Sequence, residues 1–168
     1  MRNTCVILLV LLTGCGGSLS DEQRKKLREG MDQQQIVKAS DAEIIATALD
    51  QGQVIFNDLK KIQFNKTKID SLEEAHNVRI TLLVPGASNA LAIEQELIDA
   101  YINGLATGSV QENIQKVWTD PEKTAYDSIL YTQPKLTKRS DGIEELEGMW
   151  NIYMAKKDVV LNFGKRNQ

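Results

Sequence analysis

The sequence contains little of the side-chain chemistry on which most metal and cofactor sites depend. Its 168 residues include one histidine, His76, and two cysteines, Cys5 and Cys15. Zinc and haem centres usually need several such ligands, so most familiar metal and haem sites are excluded. Aromatic residues make up only 5% of the chain, which leaves few rings for stacking on bases or sugars. The formal net charge of −3 gives no reason to expect nucleic acid as a partner.

Hydrophobic runs are scarce as well, and one short run stands near the N-terminus. Val6 to Leu12 reads VILLVLL and follows the basic residue Arg2. Crossing a bilayer as a helix takes about 20 apolar residues, so this run is typical of a secretory signal and not of a permanent span. The order Leu12-Thr13-Gly14-Cys15 resembles the lipobox of bacterial lipoproteins. The resemblance implies that Cys15 becomes the acylated first residue after cleavage.

This interpretation divides the chain into a signal peptide at 1–14, a lipidated tether at 15–20 and a single domain at 21–168. Cys5 then leaves with the signal, and the acylated Cys15 makes the lipid bilayer a partner. Several acyl chains, each contributing about 0.8 kcal/mol per buried methylene, hold a soluble domain at a membrane. An ordinary signal peptide cut nearby, or a buried thiol, remains the alternative. Gly16 follows the cysteine where an aspartate would indicate inner-membrane retention, so we expect the periplasmic side of the outer membrane.

Hydrophobic periodicity predicts helices through the first part of the domain. The composition favours helix from Asp21 onward, and apolar residues recur every three or four positions from Ile44 to Ile62. Gly52 falls on that apolar face, where it either permits close packing or weakens the helix by about 1 kcal/mol relative to alanine. A capping-box spacing at Ser71 predicts the start of a short helix, which Asn77 ends.

The following segments predict strands around one further helix. Val78–Val84 is rich in branched residues and ends at the Pro85-Gly86 turn, which predicts a strand. Ser88 or Asn89 is then expected to cap a helix that ends at Gly108. Two strands are expected at 125–132 and 148–155, with a turn between them at Asp141-Gly142. A closing helix is expected from Lys156 to Phe163. Residues 114–118 fit either a helix or a strand, and the strand is favoured. The predicted fold class is α+β, with long N-terminal helices packed on a small, mainly antiparallel sheet.

No motif predicts catalysis, and we expect no enzyme activity, metal or cofactor. His76 lies near a predicted helix C-terminus, where a cationic ring would favour the helix dipole. The remaining charged clusters are expected to be solvated: the acids Glu73, Glu74, Glu144, Glu145 and Glu147, and the bases Lys135, Lys138 and Arg139 on an exposed loop. Trp150 and Tyr153 could line a pocket, although such residues more often belong to a core.

Three stretches resemble a bacterial family of unknown function that joins long helices to a PAS-like sheet. They are Ile69–Ile80 (IDSLEEAHNVRI), Leu130–Pro134 (LYTQP) and Leu146–Val160 (LEGMWNIYMAKKDVV). The second contains the family's Tyr-x-x-Pro pattern at Tyr131 to Pro134. Tyr131 is a further candidate pocket residue beside Trp150 and Tyr153. Many members attach a c-type haem through Cys-x-x-Cys-His, and the matching interval here has neither cysteine nor histidine. The resemblance therefore implies a member without covalent haem.

Two functions are compatible with these observations. The first is a membrane-anchored sensor or binding module whose PAS-like sheet holds a small ligand or a partner peptide. The second is a structural or protein-interaction lipoprotein with a filled core and no small-molecule ligand. A concave, mainly apolar pocket under the sheet, open to solvent and with a few polar groups pointing into it, favours the first. A large contiguous apolar surface patch favours the second.

Overall fold

The structure is a computed structural model that describes residues 20–26 and 39–166. The chain divides into two compact units, Met1–Ile36 and Val37–Gln168. In the first unit, residues 21–26 are helical. The Ser20 hydroxyl accepts a hydrogen bond from the Gln23 amide at 3.2 Å, and the Gln23 side chain accepts one from the Ser20 amide at 3.1 Å. The predicted signal peptide and Cys15 lie outside the described residues.

The second unit begins with the helix that the periodicity predicts. Helix α1 spans Asp41–Lys61 and follows a capping box in which Ser40 and Glu43 bond reciprocally. These bonds from the Ser40 hydroxyl and amide lower the pKa of the Glu43 carboxyl. The buried face of the helix matches the predicted one and comprises Ile44, Thr47, Ala48, Gly52, Ile55, Phe56 and Leu59.

Helix α2 spans Lys66–His76, so the predicted start at Ser71 was wrong. Asn65 is the N-cap, and its side chain accepts a hydrogen bond from the Lys68 amide at 3.3 Å. The chain reaches this cap through two residues with positive φ, Gln63 and Phe64, whose conformation the sequence pattern does not indicate. The predicted end is confirmed, because Asn77 takes the left-handed conformation with φ of 52°.

Four strands form one sheet in the order β1-β4-β3-β2, and every neighbouring pair is antiparallel. The strands are β1 (Val78–Leu83), β2 (Asn113–Trp118), β3 (Tyr126–Lys138) and β4 (Glu144–Ala155). The α+β class is confirmed, and residues 114–118 form the favoured strand. The helices do not all precede the sheet, because a helix lies between β1 and β2 and another follows β4.

The helix between β1 and β2 is α3, which spans Ala92–Thr107. Its N-cap is Leu91, so the predicted caps at Ser88 or Asn89 were wrong. Glu94 replaces them by accepting a hydrogen bond from the Leu91 amide at 2.8 Å. The predicted stop is confirmed at Gly108, which has φ of 69°. Helix α4 follows β4 and spans Lys156–Arg166.

Both faces of the sheet are covered, and each has its own hydrophobic cluster. On one face, α1 and α4 pack on the sheet around Ile44, Ala48, Ile55, Phe56, Leu59, Ile80, Tyr126, Ile129, Tyr131, Trp150, Ile152, Met154 and Val159. On the other face, α3 packs on the sheet around Leu83, Leu97, Ile98, Tyr101, Leu130, Leu146 and Met149. The alternation along β3 and β4 sends successive side chains to opposite clusters.

Strands β3 and β4 extend beyond their neighbours as a two-stranded hairpin arm, residues 135–148. The strands were predicted to end at 132 and to begin at 148, and both predictions were too short. Lys135 and Lys138 therefore lie in β3 and not in a loop. The predicted turn is confirmed, since Gly142 has φ of 83° and its amide donates to the Arg139 carbonyl at 2.9 Å.

Candidate functional site

Two of the three candidate pocket residues, Tyr131 and Trp150, lie in the core beneath α1. A Cβ added to Gly52 would fall 2.5 Å from Tyr131 Cδ2 and 2.9 Å from Tyr131 Cβ. Of the two interpretations of Gly52, close packing is therefore the one that the structure shows. Trp150 stacks on Phe64 with ring centroids 5.0 Å apart and planes 18° apart. These side chains fill the interior under the sheet.

The third candidate, Tyr153, points to the opposite face and is half-buried. Its hydroxyl donates to Glu94 Oε1 at 2.7 Å, and the Arg79 guanidinium lies 4.3 Å from its ring centroid. Burial raises the pKa of the Tyr153 hydroxyl above its usual range, and the bond to Glu94 raises it further. Tyr153 lines a cleft at the rim of the sheet, together with Arg79.

A cleft of about 760 Å³, here called the apolar cleft, opens where β3 begins and β4 passes into α4. Its lining is largely apolar and comprises Tyr126, Asp127, Ser128, Ala155, Lys156, Lys157, Val160 and Leu161. Leu161 at the wall of this cleft is 62% exposed. Ligand pockets generally measure about 300–1,000 Å³ and have such linings, so the cleft is large enough for a small molecule.

Strand lengths explain why this cleft exists. Ser128 pairs with Ala155, the last residue of β4, so Tyr126 and Asp127 extend past the end of that strand. Helix α4 begins directly at Lys156 with no intervening loop. The first turn of α4 therefore stands beside the uncovered start of β3.

Hydrogen bonds and a cation hold the Tyr126 wall of the cleft in place. The Tyr126 hydroxyl donates to Asp41 Oδ1 at 2.9 Å, while Lys116 Nζ donates to Asp41 Oδ2 at 2.6 Å. Lys156 Nζ lies 3.8 Å from the Tyr126 ring centroid. The bond from Lys116, and then the bond from Tyr126, hold the Asp41 pKa below its usual value. Burial, with the Asp41 bond, raises the pKa of Tyr126 to about 12.

A second cleft of about 420 Å³, here called the polar cleft, adjoins the first. It is lined by Asn77, Val78, Arg79, Ser128, Tyr153, Met154, Ala155 and Lys157. Ser128, Ala155 and Lys157 line both clefts, so the two adjoin at these residues. The two clefts together place an apolar space beside a polar one, and the polar one is lined by two cationic side chains, Arg79 and Lys157.

A buried polar cluster lies nearby, between α3 and the sheet. Glu94 is only 6% exposed, and it accepts a hydrogen bond from Asn151 Nδ2 at 2.7 Å in addition to that from Tyr153. Tyr101 and Thr132 form a second buried pair, with their hydroxyl oxygens 2.6 Å apart. Asn151 Oδ1 is buried and has no hydrogen-bond partner. These bonds position α3 over the sheet, and their burial keeps them away from solvent.

The other sequence-predicted residues do not converge on a reactive centre. His76 closes α2 with its Nε2 atom 3.7 Å from Asp58 Oδ2, next to the helix C-terminus as expected. Glu144, Glu145 and Glu147 are exposed on the hairpin arm, as predicted. Glu73 differs from the prediction, because it is half-buried and accepts a hydrogen bond from the Ile80 amide on β1. Within residues 20–26 and 39–166 there is no cluster of three metal-ligating His, Cys, Asp or Glu side chains.

Sequence reasoning missed the residues of the apolar cleft. A usable signal was the run Val159-Val160-Leu161, since three consecutive apolar residues on a helix cannot all face one core. The structure buries Val159 and leaves Leu161 exposed. None of the helices in the described ranges is long and apolar enough to cross a membrane. Comparison of the chain with protein-family models, curated proteins and solved structures gave no match.

Proposed function

We propose that this chain is a lipid-anchored periplasmic lipoprotein whose PAS-like domain is a sensor or binding module without covalent haem. The observation that carries the binding role is the apolar cleft, which has the size and lining of a small-molecule site and an exposed leucine, Leu161, at its wall. A molecule bound in the cleft would cover this side chain and remove its apolar surface from water.

The PAS-like assignment and the absence of haem have separate support. The antiparallel sheet with helices on both faces is compatible with the sequence resemblance at Ile69–Ile80 and Leu146–Val160. Covalent haem needs thiols, and Cys15 is the last cysteine of the sequence. If Cys15 carries acyl chains, no thiol is left for a porphyrin.

The anchoring role is tested by incorporation of labelled palmitate in a bacterial host. Wild-type protein is expected to take up label and sediment with the outer membrane. Cys15→Ser is expected to lose the label entirely, because the acylated sulfur is gone. Cys5→Ser is the matched control and should keep the label, since Cys5 leaves with the signal. Equal labelling of Cys15→Ser and wild type would overturn the anchor.

The binding role is tested by mass spectrometry of the small molecules that purify with the protein. Wild type is expected to carry a compound that Leu161→Glu loses, because the new carboxylate places a charge in the apolar cleft. Ile143→Glu is a matched control on the hairpin arm, since Ile143 is 60% exposed and lies outside both clefts. Equal compound on all three proteins would contradict binding at this cleft.

The alternative is a structural or protein-interaction lipoprotein, and the hairpin arm favours it. Cross-strand pairs from Lys135↔Gly148 to Lys138↔Glu144 have no neighbouring strand on either side. Leu146 belongs to the buried cluster beneath α3, whereas the outer part of the arm offers two unpaired strand edges to a docked partner. Deleting the arm would then abolish partner capture while leaving the co-purifying compound unchanged.

A further inference from the structure

We infer that the apolar and polar clefts together bind one single-chain amphiphile with an anionic head. The apolar chain of the molecule lies along Tyr126, Val160 and Leu161, and its head reaches Arg79 and Lys157. This inference rests on the proposed binding role and adds the class of ligand. The ligand is a free monomer, because clefts of about 760 and 420 Å³ suit a drug-sized molecule and not a two-chain lipid within a bilayer.

The shared lining of the two clefts supports a single ligand. Ser128, Ala155 and Lys157 line both, so a molecule that lies across these residues contacts the apolar and the polar cleft at once. The lining changes character at the same point. Tyr126, Val160 and Leu161 line the apolar side, whereas Asn77, Arg79 and Tyr153 line the other. This division matches a ligand with an apolar body and a polar end.

The charge balance of the polar cleft determines the sign of the head. No carboxylate forms an ion pair with Arg79 or Lys157 among the described residues, although Lys116 and Lys135 have acidic partners. The lining of the polar cleft itself contains no carboxylate. Asp127, Asp158 and Glu94 lie outside that lining, where they accept hydrogen bonds from Ser128, from Asn77, and from Asn151 and Tyr153 respectively. Two cations without acidic partners therefore face the cleft.

Arg79 is also held in a defined position. Its guanidinium lies 4.3 Å from the Tyr153 ring centroid, and the Tyr153 hydroxyl is fixed by Glu94. A guanidinium stacked in this way keeps its N–H groups free for in-plane donation to a carboxylate, sulfate or phosphate oxygen. Lys157, one residue into α4, contributes a second and more mobile charge. The head group is recognised by charge and by paired hydrogen bonds.

The test uses the full chain carrying Cys15→Ser. Without acyl chains the protein is purified without detergent, so no detergent molecule competes for the cleft. Fluorescent cis-parinaric acid is the probe, and dodecanoate or dodecanol displaces it at pH 8 below the micellar concentration. Dodecanoate is expected to bind about tenfold tighter than dodecanol, because only dodecanoate carries a charge for Arg79 and Lys157. The double variant Arg79→Gln/Lys157→Gln should remove this preference and leave dodecanol unchanged. Lys66→Gln/Lys68→Gln on α2, with the same change in net charge, should behave as wild type.

Each of the other possible outcomes overturns a defined part of the inference. Equal binding of dodecanol and dodecanoate would overturn the anionic head and leave the proposed binding role standing. If no probe binds, and Leu161→Glu is indistinguishable from wild type, both the anionic head and the proposed binding role are overturned. Binding to anionic phosphatidylglycerol vesicles that needs Arg79, without binding of the monomeric probe, would replace the free amphiphile by a membrane surface. An unchanged preference in the double variant would move the head-binding residues elsewhere.

Discussion

At the scale of single residues, the tyrosines are the positions where distant parts of the chain are joined. Tyr126 bonds to Asp41, Tyr131 to Glu112, Tyr153 to Glu94 and Tyr101 to Thr132. The partners of Tyr126 and Tyr153 lie 85 and 59 residues away in sequence. Sequence patterns report local periodicity, so they could mark Tyr131 and Tyr153 as candidate pocket residues. They could not identify the hydrogen-bond partners of these tyrosines, nor show that the two side chains lie on opposite faces of the sheet.

Gly52→Ala tests the contact between α1 and Tyr131. Alanine favours a helix by about 1 kcal/mol over glycine, so a free position would gain stability. Here the added Cβ would lie 2.5 Å from Tyr131 Cδ2, and overpacking of this kind costs about 1–3 kcal/mol. We expect a net fall in the free energy of unfolding, measured in urea. Asn57→Ala, exposed on the same helix, is the control, and a more stable Gly52→Ala protein would refute the contact.

Tyr101→Phe tests the buried hydroxyl pair by its pH dependence. Burial raises the Tyr101 pKa to about 12, from about 10 in an unfolded chain. Between these values the unfolded state loses the proton and the folded state keeps it, so stability falls as pH rises. We expect Tyr101→Phe to reduce this decline by about 1.4 kcal/mol per pH unit between pH 10 and 12. The measurement is urea unfolding at each pH, and parallel curves for the two proteins would contradict it.

At the scale of elements, periodicity predicted which segments form helices and strands, and capping chemistry predicted their ends less well. The repeat from Ile44 to Ile62 gave α1, and Asn77 and Gly108 were correct helix ends. Starts failed because a spacing such as Ser71-x-x-Glu74 also occurs in the middle of a helix. The β3–β4 arm was missed because most of its residues are charged or polar. It has one apolar cross-strand pair, Leu136↔Leu146, which is too little to give an alternating pattern, and the turn at Gly142 is the clearer local signal.

Asn65→Ala and Ser71→Ala compare the observed helix start with the sequence-based one. Asn65 accepts a hydrogen bond from the Lys68 amide, so its loss is expected to lower the free energy of unfolding by about 1 kcal/mol. Ser71 lies inside α2 and is exposed, so alanine there should be neutral or slightly stabilising. Urea denaturation of the two variants decides the matter, and the reverse order would place the helix start at Ser71.

Charge on the hairpin arm is expected to prevent its free edges from pairing with other chains. Glu144, Glu145 and Glu147 lie on β4 within the arm, where neither strand has a further neighbour, and charged side chains on an exposed edge oppose edge-to-edge association. Replacing all three by glutamine should produce concentration-dependent self-association in light scattering. Glutamine at Glu74, Glu96 and Glu122, which are exposed away from the arm, changes the net charge equally. If both triple variants stay monomeric, the acids have no such role.

At the scale of the whole molecule, the position of the binding site follows from how completely the sheet is covered. Helix α1 and its neighbours fill one face and α3 fills the other, so Tyr131 and Trp150 have no free space beside them. The two adjoining clefts lie instead at the rim, where β3 extends past the end of β4. Strand lengths and helix placement decide this, and neither was available from single-sequence patterns. Of the three candidate pocket residues, Tyr153 is the one that lines a cleft in the structure.

The mass of the intact protein, extracted from bacterial membranes and measured with its non-covalent ligand retained, tests the whole account most directly. The account predicts a polypeptide that starts at Cys15, carries covalent acyl chains and no haem, and releases one small amphiphile on denaturation. A chain that starts elsewhere with an unmodified Cys15, and that releases nothing, would contradict both the anchor and the binding role.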